Sequence, residues 1–358
     1  MERWVVDGAM SVEEQVDNAL RMVRSSPEMY QRGFDNGYNV SRRLAKRFRS
    51  LVLFGMGGSG IVGDIVRDLI STPNRKPPYV SQDYRLQTQP GPDTLSIALS
   101  YSGNTAETVT AASEAYSSGS TLVVVSSGGV LSEIAEKHGL PRVPVTSGLE
   151  PRYAVPEMVG CVLGLLHGLG MVDSLSEQFR DAAKNLHSFI EGVSADSLRD
   201  AARLMHSRVA VVIGHTHLQS SAYRLKCQLN ENAKHPAYVA TLPEACHNEM
   251  EGWTLPESIS YIVLRSRYEP PALSAVLDQI LDDLKRGDMA HTILRVDSAN
   301  YVEEILRMVA LGDMLSIVLA SSKKADPFKL LRIPRFRRLL SMDGRLLKHA
   351  EERFKVDT

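Results

Sequence analysis

Short, almost unbroken apolar runs alternate along this chain with longer stretches whose apolar residues recur at helical spacing. SLVLFGMGGSG reads as a buried strand running into a glycine loop, and IVGDIVRDLI behind it has the spacing of a helix. LSIALSYSGNT and TLVVVSSGG repeat the strand-then-loop pattern, each followed by a predicted helix, AETVTAASEAYSSG and then VLSEIAEKHG, which ends at Gly139. PRVPVT adds a short strand. The second half repeats the theme. VAVVIGHTH, SISYIVLRS and HTILRVDS read as strands, and LQSSAYRLKCQLNENAK, PALSAVLDQILDDLKRG and YVEEILRMVALGDMLSIVLASSKK as helices. Ahead of them all, SVEEQVDNALRMV opens a helix in which Ser11 and Glu14 have the spacing of a capping box.

Strands alternating with helices require crossover connections and therefore mostly parallel sheets. The strands are apolar on both faces, as expected when helices cover both sides. The chain thus reads as α/β, with two three-layer α/β/α subdomains that look like copies of one sandwich. TSGLEPR breaks the pattern, which places a boundary near 150: residues 1–150, then 151–325, then a tail at 326–358. Residues 152–207, largely helical, connect the halves.

Composition narrows the picture a little. The 358 residues are 43% hydrophobic and 23% charged, enough for two ordinary cores. A formal net charge of -1 gives no global field toward nucleic acid. Cys161, Cys227 and Cys246 are an odd number without patterned spacing, which fits a reducing compartment. The charged N-terminus lacks a signal-peptide core, so the expected location is the cytoplasm. The apolar stretch at 155–169 is too short to span a bilayer and carries Glu157 and His167; it reads as a helix buried at a domain or subunit interface. No membrane or nucleic-acid partner is expected. The basic tail interleaves Leu, Ile and Phe with its cations, so it is expected to fold onto the body as an amphipathic segment.

Ligands of open parallel sheets bind beyond the carboxyl ends of the strands. Three such ends stand out here: GMGGSG at 55–60, SYSGNT at 100–105 and SSGG at 126–129. The first matches the dinucleotide fingerprint, and Asp83 lies where an acidic group could take a ribose hydroxyl. The second favours a compact phosphate instead. Ser100, Ser102 and Thr105 put three hydroxyls in one short loop, Gly103 relieves the turn, and Thr105 stands at the start of a helix, where backbone N–H groups lack partners. Ser59, beside Gly58, could complete the cradle. Serine and threonine also cap helices for purely structural reasons.

Glu231, in LNENAK, is either a solvated carboxylate at a helix end or a base held in place by its neighbours. LPEACHNEMEGW follows, with Glu244, His247, Asn248, Glu249 and Glu251. His247 and Glu251 would share a helical face, and GHTH adds His215 and His217, but the spacing matches no strong zinc signature. No metal and no cofactor are therefore expected. A carboxylate and an imidazole near a phosphate cradle suggest proton transfer on a sugar, with Arg152 as the cation beside the developing enediolate.

GMGGSG, SYSGNT, EPRYAVPE, LNENAK and LPEACHNEMEG, in this order, resemble the archaeal-type bifunctional phosphoglucose/phosphomannose isomerases, a branch of the sugar isomerase (SIS) group. GGSG and SGNT imply only a phosphosugar; NENAK followed by LPEA-x-HN is far more specific. The resemblance implies a metal-independent homodimer with active sites at the interface. It implies that glucose 6-phosphate and mannose 6-phosphate are converted to fructose 6-phosphate through a cis-enediol. Gly58, Ser59, Ser100, Ser102 and Thr105 would hold the phosphate. Arg152 would stabilise the enediolate, Glu231 move the proton between C2 and C1, and His247 assist ring opening. The sequence departs from the family in the tail: Leu330 stands at a threonine-like position and Arg337 at that of a lysine that works with the histidine. These departures motivate an alternative, a phosphosugar-binding sensor without chemistry; a third reading, built on Gly55 to Gly60 and Asp83, is a nicotinamide-dependent oxidoreductase.

Overall fold

The structure, a computed structural model, describes residues 10–44, 47–71, 76–254, 256–342 and 345–355. The chain divides into two compact units. One, the C-sheet unit, comprises residues 1–25 and 187–329; the other, the N-sheet unit, comprises 26–186 and 330–358. Helix α1 (Val12–Arg24) belongs to the C-sheet unit, and its N-terminus carries the expected capping box between Ser11 and Glu14.

The N-sheet unit runs α2 (Ser26–Ser41), β1 (Ser50–Gly55), α3 (Gly57–Ile70), β2 (Tyr79–Ser81), β3 (Thr94–Leu99), α4 (Ala106–Ser117), β4 (Thr121–Ser126), α5 (Gly129–Lys137), β5 (Arg142–Pro144) and α6 (Val155–Gly168). Its five strands are all parallel, in the order β2-β1-β3-β4-β5. β3 is buried at every residue, Thr94 and Ser96 included, as expected of a strand covered on both faces. Helix α7 (Asp173–Gly192) then spans the change of unit.

The C-sheet unit continues with α8 (Ala195–Met205), β6 (Val209–His215), α9 (Gln219–Glu231), β7 (Ala237–Leu242), β8 (Ile259–Arg265), α10 (Pro271–Arg286), β9 (Ala290–Arg295) and α11 (Tyr301–Ser322). Its strands are also parallel, in the order β7-β6-β8-β9. This is the order of the first four strands of the other sheet, so the repeat seen in the sequence is a repeat of topology. Helix α11 is long and apolar enough to cross a membrane by length and composition, but 78% of its apolar window is buried, and it packs on α1, α8 and α9. Finally α12 (Ile333–Met342) and α13 (Arg345–Lys355) return to the N-sheet unit.

The division falls after residue 186, not near 150, and the apolar helix at 155–169 explains the difference. It is α6, and it lies against α2 and α3 inside the N-sheet unit. The α2–α6 approach is close because glycines face backbone: a Cβ at Gly37 would sit 1.9 Å from the Cys161 carbonyl oxygen, and one at Gly164 1.9 Å from that of Phe34. The pair is locked further by Glu157, fully buried, which accepts from Arg32 Nη2 at 2.8 Å and from the Thr146 N–H and hydroxyl at 3.0 Å each. A wholly apolar helix here marks the interior of one unit, not a boundary.

Strand β7 was not anticipated. AYVATL has the Tyr, Val and Thr that suit a strand, but it follows a proline, contains two alanines, and leaves Tyr238 63% exposed at the sheet edge, so no apolar run or regular alternation announces it. The tail behaves in two ways. α13 folds onto the body as expected, burying Ala350 and Phe354 in the cluster around α4, with the Phe354 and Tyr116 rings 5.1 Å apart. By contrast, α12 leaves Phe336 and Leu339 exposed, with Leu331 just before it also exposed.

Candidate active site

The hydroxyl-rich loops of the N-sheet unit meet at the carboxyl ends of β1, β3 and β4. The expected glycine loop after β1 is mostly helix: α3 begins at Gly57, which takes φ 54, and its N-cap residue Met56 has no side chain able to cap. Ser59 is buried, and its Oγ accepts the Tyr101 N–H at 2.9 Å, so it joins the first loop to the second. Gly58 lies against the backbone of the EPRYAVPE segment; a Cβ there would come 3.1 Å from Arg152 N.

The second loop is built around Gly103, in the left-handed region at φ 67. A side chain there would strike the Gly128 carbonyl oxygen at 1.8 Å, so only glycine lets the second and third loops touch. Four bonds staple them together: the Leu131 N–H donates to Gly103 O at 3.0 Å, the Ser127 N–H and hydroxyl both donate to Tyr101 O at 2.9 and 2.7 Å, and the Val130 N–H donates to Asn104 Oδ1 at 2.9 Å. Within this frame the buried Ser100 hydroxyl donates to Thr105 Oγ1 at 3.1 Å. Thr105 is the N-cap of α4, yet its side chain makes no capping bond. Ser102 is exposed, and its Oγ accepts the Asn104 N–H at 3.3 Å. Asn104 and Tyr101 were not singled out from sequence, although an asparagine beside a glycine turn is a recognisable signal of side-chain bonding to backbone. The Tyr101 hydroxyl accepts the Leu149 N–H at 2.7 Å, and burial raises its phenol above the usual value of 10.0.

Arg152 belongs to the same unit. It is 2% exposed, with Nη1 3.5 Å from Glu150 Oε2 and the guanidinium 5.1 Å from the centre of the Tyr153 ring. The Arg152 backbone thus adjoins Gly58, while its guanidinium, withdrawn from solvent, faces the Glu150 carboxylate and the Tyr153 ring. Asp83, the candidate ribose ligand, instead closes its own turn, accepting from the Tyr84 N–H and Gln87 Nε2. Leu330 is half-buried and Arg337 exposed on α12, both in this unit.

Glu231, His215, His217 and His247 lie in the C-sheet unit. Glu231 is the last residue of α9, half-buried, and its flanking residues are anchored. Asn232, fully buried, donates to Ser316 Oγ at 2.9 Å; Asn230 donates to His235 O at 2.8 Å; Lys234 Nζ reaches the Glu231 carbonyl oxygen at 2.6 Å. The residues flanking Glu231 and its own carbonyl are thus anchored. His247 is exposed on the turn beyond β7.

Glu231 and His247 do not meet within this unit. Helix α9 crosses back between the parallel strands β6 and β7, so its last residue stands at the amino edge of the sheet, whereas His247 follows the carboxyl edge. Strand β7, six residues long, separates the two edges, about 20 Å at roughly 3.3 Å per residue. The pairing of His247 with Glu251 also fails, because Asn248 breaks the segment into two short 3-10 turns, Glu244–His247 and Glu249–Gly252. The GHTH histidines are occupied elsewhere: His215 Nε2 lies 2.9 Å from Leu264 O, and His217 Nε2 lies 2.7 Å from Glu304 Oε2. Among the described residues, no group of three or more His, Cys, Asp or Glu is placed to hold a metal ion.

Residues 196–340 match the model of the bacterial phospho-glucose isomerase C-terminal SIS domain. The chain is 30% identical over 324 residues to a bifunctional phosphoglucose/phosphomannose isomerase of Caldicellulosiruptor bescii, covering 87% of this chain and 95% of that one. It is 31% identical over 294 residues to the bifunctional phosphoglucose/phosphomannose isomerase of Aquifex aeolicus, covering 81% and 90%. Its fold is that of the tagatose-6-phosphate ketose/aldose isomerase of Escherichia coli, with a TM-score of 0.68 at 16% identity over 90% of this chain and 96% of that one. Two parallel sheets with one strand order, a stapled hydroxyl cradle and an anchored Glu231 thus stand in a chain that belongs to the family of bifunctional phosphoglucose/phosphomannose isomerases.

Proposed function

We propose that this chain is an aldose–ketose isomerase that interconverts glucose 6-phosphate and mannose 6-phosphate with fructose 6-phosphate. Its similarity to isomerases of that name over most of its length carries the reading. The chemistry of the cradle agrees with it: hydroxyls and helix N-termini suit a phosphate monoester. In this reading Gly58, Ser59, Ser100, Ser102 and Thr105 form the phosphate site. Glu231 removes the proton from C2 and returns it to C1. Arg152 stabilises the negative oxygen of the enediolate between those steps. His247 moves the protons that open the ring, with Arg337 in the position of the family's lysine. Rotation of the opened chain before the proton leaves C2 lets one base serve both epimers.

The separation of Glu231 and His247 along β7 supports a homodimer as the active form. Direct proton transfer needs heavy atoms within about 3 Å of the reacting group, and one chain holds these two residues a strand length apart. A second copy can supply His247 to the Glu231 of the first. The expected location of such an enzyme is the cytoplasm.

The test is a coupled assay for fructose 6-phosphate with each substrate in the presence of a chelator. Turnover of both is expected, and Glu231→Gln is expected to lower kcat by at least roughly 100-fold, the low end of general-base contributions. Full activity in Glu231→Gln would remove Glu231 from the role of base. Stabilisation by the sugar phosphates without turnover would favour the sensor reading that Leu330 and Arg337 raise.

A further inference from the structure

The carboxyl end of α9 closes on a lysine in an unusual conformation. Helices often end on a residue in the left-handed region, and that residue is usually glycine because a Cβ is strained there. Lys234, two residues past the C-cap Asn232, adopts φ 51. Backbone preference does not explain a lysine at this position. What the residue adds is its ammonium, which donates to Glu231 O at 2.6 Å, to Asn232 O at 3.3 Å and to Asp326 O at 2.6 Å.

Two of these acceptors are carbonyls at the end of α9, where helical partners run out and the helix dipole favours a cation. The third lies far along the chain. Asp326 follows α11 and starts a tight turn, its Oδ1 accepting the Phe328 N–H at 2.8 Å and the Lys329 N–H at 3.2 Å. The Lys234 ammonium therefore joins the backbone of Glu231 to the point where the chain leaves α11. Asn232, held to Ser316 of α11, fixes the same helix end from its buried side.

We propose that Lys234 is a positioning residue for the isomerase reaction: its ammonium clamps the Glu231 carbonyl to that of Asp326 and so sets where the last turn of α9 presents the Glu231 carboxylate to C2. The proposal rests on the reading of Glu231 as the base. A clamp of this kind changes the rate of proton transfer more than the binding of substrate. Misplacing a catalytic group by about 1 Å costs on the order of 100-fold, so a partial loss of the clamp is expected to cost about 10- to 100-fold in kcat with KM nearly unchanged.

The decisive variant is Lys234→Gly, which removes the ammonium and also relieves the left-handed strain. If Lys234 served only the backbone turn, glycine would do as well or better, and wild-type kcat in this variant overturns the proposal. Reduced kcat with KM held is the expected result, together with partial recovery in Lys234→Arg, whose guanidinium can still donate to carbonyls. Lys234→Asn, which also tolerates the left-handed region, gives the same reading should the glycine variant fold poorly. Glu231→Gln and the double variant separate this idea from the one beneath it. Full activity in Glu231→Gln removes the base and the proposal together. An inactive Glu231→Gln beside a fully active Lys234→Gly removes the clamp alone. If Lys234 acts through Glu231, the double variant is no slower than Glu231→Gln; an equal further loss in that background shows that Lys234 acts elsewhere and overturns the proposal.

Discussion

The ends of β1 and β6 are the same place in two copies of one topology, and they have been put to different uses. Each strand lies beside the point where strand order reverses, each is followed by a residue with positive φ, and each then turns directly into helix. After β1 that residue is Gly57, at which an added Cβ would meet nothing within 4 Å. After β6 it is Thr216, φ 39, flanked by two histidines. There the Ser266 hydroxyl donates to Glu304 Oε2 at 2.6 Å, His217 Nε2 lies 2.7 Å from the same oxygen, and the buried His215 is held against Leu264 O. One strand end leaves Gly57 open. The other is filled by its own polar side chains. The chemistry assigned to the C-sheet unit stands instead on Glu231, at the opposite edge of the sheet.

This contrast can be broken from either side. The largest effect on stability is expected at the filled end. Glu304→Leu leaves the polar partners His217 and Ser266 without their shared carboxylate, and should cost about 1–3 kcal/mol for each buried polar group left unsatisfied. Chemical denaturation measures that loss, and KM for the sugar phosphate should stay put, since no ligand is assigned there. A rise in KM on this substitution would mean that both strand ends serve the substrate.

A smaller change in stability and a larger change in binding are expected at the open end. Gly103→Ala forces a side chain into the left-handed region and against Gly128 O; the conformational part alone should cost about 1–3 kcal/mol. KM should rise as the second and third loops separate. An unchanged KM would detach these loops from the phosphate.

The smallest effect concerns the frame around Glu231. Burial, reinforced by the Lys323 ammonium 3.1 Å from Nδ1, lowers the His235 pKa from 6.5 to about 4. The folded protein therefore keeps this imidazole neutral where the unfolded chain would protonate it. Stability from this residue is intact above pH 6.5 and is lost as pH falls from 6.5 toward 4. At about pH 6 the loss is under about 1 kcal/mol. His235→Asn should flatten that part of the stability profile, and an unchanged slope would show that the imidazole is not held neutral.

Much of this molecule can be read along the chain. A buried parallel strand such as TLSIAL carries no charged residue and is mostly apolar, and by such runs β1, β3, β4, β6 and β8 announce themselves. The serine and glycine loops that follow them suggest a phosphate site, and the resemblance carried by NENAK and LPEA-x-HN implies a carboxylate–imidazole chemistry on a phosphosugar. An edge strand like β7 is hidden, because half its surface faces solvent and its residues suit many settings.

The sequence by itself determined the class of fold and the parallel order of its elements, because these follow from local periodicity; the candidate site residues came from side-chain chemistry together with the resemblance to known isomerases. Only the tertiary structure decided which edge of a sheet each residue occupies. Neighbours in sequence such as Glu231 and His247 are parted by the direction in which α9 and β7 run, whereas Lys234 and Asp326, far apart in the chain, share one ammonium. Packing also decided that α6 closes one unit and does not divide two, since its glycines allow α2 within backbone contact. Direction and packing are properties of the assembled layers, which no local stretch of sequence contains.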